Sequence, residues 1–314
     1  MRVLVLGAGG FIGRRIVAAL QRTIGPANVV AGIRRSGLND PAIEERFVDA
    51  NDADSVRKAS HGIDCIVNSV MGSEKAIVAS AHNAAQMVRD GVVGRVVHLS
   101  SIAVHGARDG TIRESDSLGP PADGYAAAKI AAEARFTDLA GDNGVILRPG
   151  LVHGPGSTLW TLRVGRLLAA GRLGPLGAQG KGICNLVDVE DVAAAAAAAC
   201  HVKEAGGRAF ALVAAPAPDW NAYLMDLARA LGVPVRPISP LRLTMERALA
   251  YPITALRGPA ARIGITLPDA VTPGLARLFP VRTRFESSAI GLLLPAWSDY
   301  AQSLRRSADW LNTR

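Results

Sequence analysis

The sequence predicts a doubly wound, parallel α/β sheet followed by a smaller C-terminal lobe that interleaves with it. Three observations carry this. Short, almost wholly apolar runs recur through the first half, as in strands covered on both faces. Helical patterns alternate with those runs over short Gly, Asp and Asn connections. A glycine-rich turn, "GAGGFIG", joins the first run to the first helical pattern.

Taken in order, "VLVL" at 3–6, "VVAGI" at 29–33, "CIVNSV" at 65–70, "RVVHLS" at 95–100 and "GVILRP" at 144–149 read as strands, and a further strand precedes "DANDADS". Helices are expected at 11–24, near 53–60, at 74–90 and at 125–140. After Pro149 Gly and Pro become frequent. A helix follows "NLVDVED" over roughly 189–203, its alanine run 193–199 being a strong helix former, and "RAFALV" at 208–213 can supply one more strand. From Pro234 onward the chain is Pro- and Arg-rich, with amphipathic pieces of middling length. The expected division is a nucleotide-binding core over 1–150 and a substrate-binding lobe over 151–314, with elements near 185–215 returning to the core.

At 314 residues, 49% hydrophobic and 20% charged, the chain is long enough for an ample core and is not disordered. The formal charge of +8 comes mainly from arginines scattered singly or in pairs among few aromatics, which argues against nucleic-acid binding and leaves anionic ligands. Cys65, Cys184 and Cys200 are odd in number and widely spaced, so neither a disulfide framework nor a metal site is expected. The chain runs from Met1 straight into its first motif, leaving no room for a signal peptide. No apolar run reaches the ~20 residues of a membrane span. A cytoplasmic protein is expected.

In "VLVLGAGGFIGRRIVAAL", Gly7, Gly10 and Gly13 lie between a strand and an amphipathic helix. Glycines there permit a tight turn and a close approach of backbone to a pyrophosphate. The amides at Phe11 and Ile12, with the helix dipole, favour an anion. A lone glycine pattern is weak; this one has its strand, its helix and its N-terminal position. An acid at the end of the second strand would bind a ribose 2′-hydroxyl. Here "AGIRRSG" presents Arg34 and Arg35, which suit a 2′-phosphate and favour NADP over NAD, unless the pair is simply solvated. Asp49 can accept from an adenine amino group, while Asp52 reads as the cap of the next helix.

"GYAAAK" sets Tyr125 and Lys129 four apart on one helical face, where an ammonium can favour a phenolate. With four tyrosines and five lysines in the chain, chance gives on the order of 0.06 such pairs. The alternative is a packed tyrosine beside a solvated lysine. The strand ending "VVHLSS" brings Ser100 and Ser101 to the carboxyl edge of the sheet, where open α/β sheets bind ligands. The 24 residues from there to Tyr125 suffice for a surface loop that returns the next helix over that edge.

These features resemble the extended short-chain dehydrogenase/reductase family of epimerases, dehydratases and reductases. The motifs are "GAGGFIG", "DAND", "HLSSIAVHG", "ESDSLGPPADGYAAAKIAAE", "LRPGLVHGPG", "NLVDVEDVA" and "SLRRSADWL", and they cover most of the chain in order. The resemblance implies a Rossmann core, Tyr125 as acid/base, and Lys129 as the residue that lowers the tyrosine pKa and holds the nicotinamide ribose. It also implies Ser101, rather than Ser100, as the serine orienting the substrate oxygen, and Ala50 and Ser69 as further cofactor contacts. A homodimer is a further implication, with helices 74–90 and 125–140 available for a four-helix interface.

Departures from the pattern are informative. Ile102 and Ala103 follow the serine where dehydratases carry two acids after a threonine, so dehydration is disfavoured. His105 and His153 stand where many epimerases have tyrosine; each is a candidate substrate contact or a packed loop residue. "NSVMGS" replaces the usual "HLAA", and Ile77 aligns loosely with the family's structural asparagine. Arg148 is expected to anchor its strand end and Asp191 to order the helix that follows it.

The leading expectation is an NAD(P)-dependent oxidoreductase acting on a hydroxyl or keto group of a small organic substrate. A nucleotide-sugar epimerase retaining NAD is the alternative, and a non-catalytic NADP-binding assembly or regulatory protein a third. Two arginines and few aromatic rings to stack on a base favour the first. "LRLTMERALAYPITALRGPAAR" at 241–262 could cover a lipophilic pocket, form a subunit contact or lie on a membrane surface.

Overall fold

The computed structural model describes residues 1–35, 37–262, 264–265, 267–286 and 288–314, without the side chains of residues 257 and 261. The core elements are β1 (Val3–Leu6), α1 (Phe11–Ile24), β2 (Val29–Ile33), β3 (Glu44–Phe47), α2 (Ala53–Ala59), β4 (Cys65–Asn68), α3 (Glu74–Arg89) and β5 (Arg95–Leu99). A short strand β6 (Gly110–Arg113) precedes α4 (Gly124–Ala140), β7 (Gly144–Pro149), β8 (Leu151–His153), α5 (Val164–Ala169), β9 (Leu186–Asp188), α6 (Val189–Ala199) and β10 (Ala209–Leu212). The lobe adds α7 (Trp220–Leu231), α8 (Pro240–Arg262), α9 (Pro273–Leu278), β11 (Thr283–Glu286) and α10 (Tyr300–Asn312).

Seven parallel strands form one sheet in the order β10-β7-β5-β4-β1-β2-β3, so the winding reverses between β1 and β4. The strand alternation explains the continuous apolar runs. Val3 and Val5 face a core shared with Ile16, Leu20, Val189 and Val192, whereas Leu4 and Leu6 face one shared with Ile66, Met87 and Phe136. Only β3, "EERF", lies at an exposed edge, which is why it lacks an apolar run. At the opposite edge the Glu114 carboxylate accepts the Ala211 amide of β10 at 3.2 Å, closing a donor that could otherwise template another strand.

Asp52 caps α2 as expected, accepting from the amides of Asp54 and Ser55. The expectation for Asp191 is corrected. Asp188 caps α6, while Asp191 accepts from the Ser298 amide and hydroxyl and so ties α6 to the segment before α10. Helix α6 is also shorter than the expected 189–203, ending with the alanine run at Ala199. The three cysteines are free and buried.

The lobe has its own core, built on Trp220, Tyr223, Leu224 and Phe279 with Leu167 and Leu304. Two two-stranded parallel sheets, β6 with β11 and β8 with β9, stitch distant segments together. Helix α8 runs unbroken for 23 residues despite Pro252 and Pro259. A proline inside a helix usually kinks or stops it, hence the reading of separate pieces. Among the described residues no helix is long and apolar enough to cross a membrane.

Candidate active site

The reversal between β1 and β4 opens a crevice at the carboxyl ends of the strands, and the glycine turn lies in it. Gly7 has φ +80°, a conformation costly for other residues. A Cβ on Gly13 would lie 2.1 Å from the Gly7 carbonyl oxygen, so only glycine lets α1 start against the turn. The N-cap is Gly10, which has no side chain to cap the helix, and the first turn holds no acid. The first-turn amides and the positive dipole end are therefore kept for an anion. Arg14 braces the turn through its Nε to the Gly9 carbonyl at 3.1 Å.

The cofactor candidates around this cradle have differing environments. Ser69, just after β4, donates to the Leu6 carbonyl at 2.8 Å and walls the turn. Asp49 is exposed, its Oδ1 accepting from the Asn51 side chain at 2.9 Å; Ala50 is buried, and its carbonyl accepts from Asn83 Nδ2 at 3.0 Å. Arg34 and Arg35 are exposed at the end of β2, and among the described residues neither has an ion-pair partner. Phe11 faces the Gly156 loop, and a Cβ on Gly156 would sit 3.1 Å from the Phe11 ring. These groups fit a dinucleotide phosphate bridge: an uncapped helix start, an acid-free turn and free guanidinium groups nearby.

Two strands along, about 10 Å from β1 at the usual spacing, β5 delivers Ser100 and Ser101. Ser101 is extended (φ −163°, ψ 152°), and its Oγ accepts the Ala103 amide at 3.2 Å, opening a short 3₁₀ turn over Ile102–His105. The loop to α4 is fixed by the Gly119 amide on the Val104 carbonyl at 2.9 Å, and Asp123 caps α4 through the Ala126 amide at 2.9 Å. Tyr125 then lies beside the Ser101 hydroxyl, which favours its ionised form. Ser100 is buried, and among the described residues its hydroxyl has no partner. One turn on, Lys129 is buried with its Nζ donating to the Leu99 carbonyl at 2.6 Å and 6.0 Å from the Tyr125 ring centre.

Burial pushes the Tyr125 phenol up from its ordinary value, opposed by the Ser101 hydroxyl and reinforced by Asp123. Burial depresses the pKa of Lys129 to about 8, Glu133 opposing the shift. The ammonium is turned to the Leu99 carbonyl, and the buried phenol keeps its proton.

A second layer lies behind, most of it missed in the sequence. Glu133, one further turn along α4, receives Arg148 of β7 in a two-pronged pair, Nε–Oε1 3.0 Å and Nη2–Oε2 2.7 Å. Arg148 Nη1 lies 3.3 Å from His105 Nε2, which must therefore accept; burial, then the Arg148 charge, lower the His105 pKa to about 4. His105 also rests edge-on against Phe285. Arg148 is thus the anchor expected, and His105 is packed rather than open. His153 is likewise buried and faces Asp188 across β8 and β9, with its pKa lowered to about 4 by burial against the opposing Asp188 charge. Ile77 sits in an apolar patch with Ala81, Ala128 and Ala132 between α3 and α4; the buried polar residues of α3 are Ser80 and Asn83, three and six residues on. The repeat Tyr125, Lys129, Glu133 at steps of four was the available signal for Glu133. His98, beneath Lys129 and 3.3 Å from Asn68 Nδ2, carried none. Among the described residues no cluster could hold a metal ion.

Comparison with known proteins agrees with this architecture. The chain aligns over its length with solved structures of low sequence identity. MoeE5 in complex with UDP-glucose and NAD is 22% identical, with a TM-score of 0.73, covering 100% of this chain and 99% of that one. A double mutant of DesIV, the dTDP-glucose 4,6-dehydratase from Streptomyces venezuelae, with NAD bound, is 23% identical at TM-score 0.70, covering 99% and 97%. The UDP-glucuronic acid 4-epimerase from Bacillus cereus, in complex with UDP-glucuronic acid and NAD, is 16% identical at TM-score 0.74, covering 100% and 99%. No curated protein sequence matches the chain. The family profile described as NAD dependent epimerase/dehydratase matches residues 3–212. The chain, with its reversed parallel sheet and glycine cradle, belongs to the NAD dependent epimerase/dehydratase family, enzymes of the extended short-chain dehydrogenase/reductase type.

Proposed function

We propose that the protein is an NAD(P)-dependent oxidoreductase that moves a hydride to or from a hydroxyl or keto carbon of a small organic substrate. The carrying observation is Tyr125 set beside Ser101, with Lys129 buried one turn away along the same helix, at the carboxyl edge beside the glycine cradle. In the reducing direction a keto oxygen sits between the two hydroxyls. A nicotinamide dinucleotide held in the cradle would supply the hydride to the carbon, and Tyr125 would give its proton to the oxygen, leaving the alcohol. A phenol that burial keeps protonated is in the right state to donate. Ser101 orients the oxygen, and Lys129 offsets the phenolate left behind. The turn over Ile102–His105 carries no carboxylate, so it offers no second acid/base for dehydration.

Arg34, Arg35 and the nearby Arg14, whose Nη2 is 3.5 Å from the Gly37 carbonyl, support acceptance of a 2′-phosphate and hence NADP. A second reading has its own support. The solved structures of like fold named above carry NAD and, in two cases, a UDP-sugar. A nucleotide-sugar epimerase using retained NAD on one substrate would use the same Ser101, Tyr125 and Lys129.

The test is turnover of wild type and Tyr125→Phe against ketones with NADPH and nucleotide sugars with NAD. Tyr125→Phe should keep fold and nucleotide affinity while losing about two to four powers of ten in turnover. Near wild-type turnover removes Tyr125 from the chemistry. Activity confined to nucleotide sugars assigns the epimerase reading.

A further inference from the structure

Helix α8 has two apolar faces and only one of them is used. Leu243 and Ala250 are buried against the lobe, and Ile253 is half-buried in line with them. On the opposite side Leu241, Met245, Leu249 and Leu256 stand 73%, 58%, 49% and 56% exposed. At 100° per residue these four fall within 80° of one another, and Pro252 and Pro259 fall in the same sector. The stripe from Leu241 to Leu256 is about 22 Å long at 1.5 Å per residue.

Charge identifies what this face would meet. Arg242 lies on one flank of the stripe and Arg262 on the other, both exposed. The sole acid on the helix, Glu246, is buried and held by Arg172 through its Nη2 at 2.6 Å and Nε at 2.8 Å. The outer face is therefore apolar in the middle and only cationic at its sides, on a chain of formal charge +8. A second copy docked face to face would bring arginine against arginine. An anionic bilayer answers both features, taking the apolar stripe among its acyl chains and the guanidinium groups at its headgroups.

We propose that α8 is a docking surface for an anionic lipid bilayer, holding the protein peripherally with Leu241, Met245, Leu249 and Leu256 inserted. The helix belongs to the C-terminal lobe, away from the glycine cradle, so this goes beyond the redox reading and does not depend on it.

The test is co-sedimentation of the full chain with vesicles of phosphatidylcholine alone and of phosphatidylcholine containing phosphatidylglycerol, at low and high salt. Wild type should sediment with the anionic vesicles, less so at high salt, and hardly with the neutral ones. Leu241→Glu combined with Met245→Glu and Leu249→Glu should weaken partition by about tenfold or more, since each removes an inserted side chain. Because these positions are exposed, circular dichroism and nucleotide affinity should stay as in wild type; Leu241→Glu alone serves if the triple variant does not fold. Arg242→Gln with Arg262→Gln should weaken binding and flatten its salt dependence. The proposal is overturned if wild type ignores anionic vesicles at low salt, or if the variants sediment as wild type does. It is equally overturned if light scattering shows a wild-type dimer that the triple variant dissolves while vesicles go unbound, which assigns the face to a second copy.

Discussion

Replacing Lys129 by methionine should make the nucleotide-free protein more stable while abolishing its chemistry. The ammonium is buried to 2% exposure, and its pKa falls from 10.5 to about 8. At 1.36 kcal/mol per unit, keeping it charged near neutral pH costs the fold about 3 kcal/mol. Methionine fills similar space without the charge. It also leaves the Leu99 carbonyl without its 2.6 Å donor, a loss of about 1 kcal/mol. The net gain is about 2 kcal/mol. The sign can be checked against pH. The folded pKa lies below the unfolded one, so between 8 and 10.5 the unfolded chain binds more protons and wild-type stability rises with pH. The variant's advantage is therefore largest below pH 8 and shrinks toward pH 10. Urea unfolding of both proteins across that range measures the difference, and other titrating groups cancel. The reasoning is refuted if the variant is less stable near pH 7, or if its advantage does not shrink above pH 8.

Three further outcomes can be checked. Arg34→Ala with Arg35→Ala should bring NADP and NAD affinities markedly closer, as read by titration calorimetry; an unchanged ratio puts 2′-phosphate recognition elsewhere. Arg148→Met leaves the Glu133 carboxylate buried and unpaired, and should cost about 3–5 kcal/mol in urea unfolding, whereas a cost below ~1 kcal/mol would make the pair incidental. His105 and His153 stay neutral in the fold down to about pH 4, while free imidazoles protonate near 6.5. The unfolded chain binds the extra protons in that window, so stability should fall as pH falls from 6.5 to 4. The fall should be shallower in His105→Asn, and equal slopes would contradict the assignment.

Much of the core was legible because the sheet is covered on both faces. Three strands, Val3–Leu6, Val29–Ile33 and Gly144–Pro149, match the apolar runs to the residue, since burial on both sides leaves no polar alternation to blur their ends. The edge strand Glu44–Phe47 had no such run, and β6 and β11 owe their pairing to partners more than a hundred residues away. Tyr125 and Lys129 were legible as a pair by spacing, and Ser101 by the family resemblance. Their protonation was not: the depression of Lys129 and the elevation of Tyr125 come from burial, which no local pattern reveals. Asp191 was misread because Asp188, three residues earlier, holds the cap and Ser298 lies far along the chain. The length of α8 was hidden by its two prolines.

The central claim, that this chain binds a nicotinamide dinucleotide in the Gly7–Gly13 cradle for hydride transfer, is tested most directly by calorimetric titration of stripped protein with NADPH, NADH, NADP and NAD. One dinucleotide should bind per chain, with the 2′-phosphorylated forms bound more tightly. Tight, stoichiometric NAD, with the phosphorylated forms rejected, would move the assignment to the epimerase reading. No binding of any of the four would contradict the claim itself.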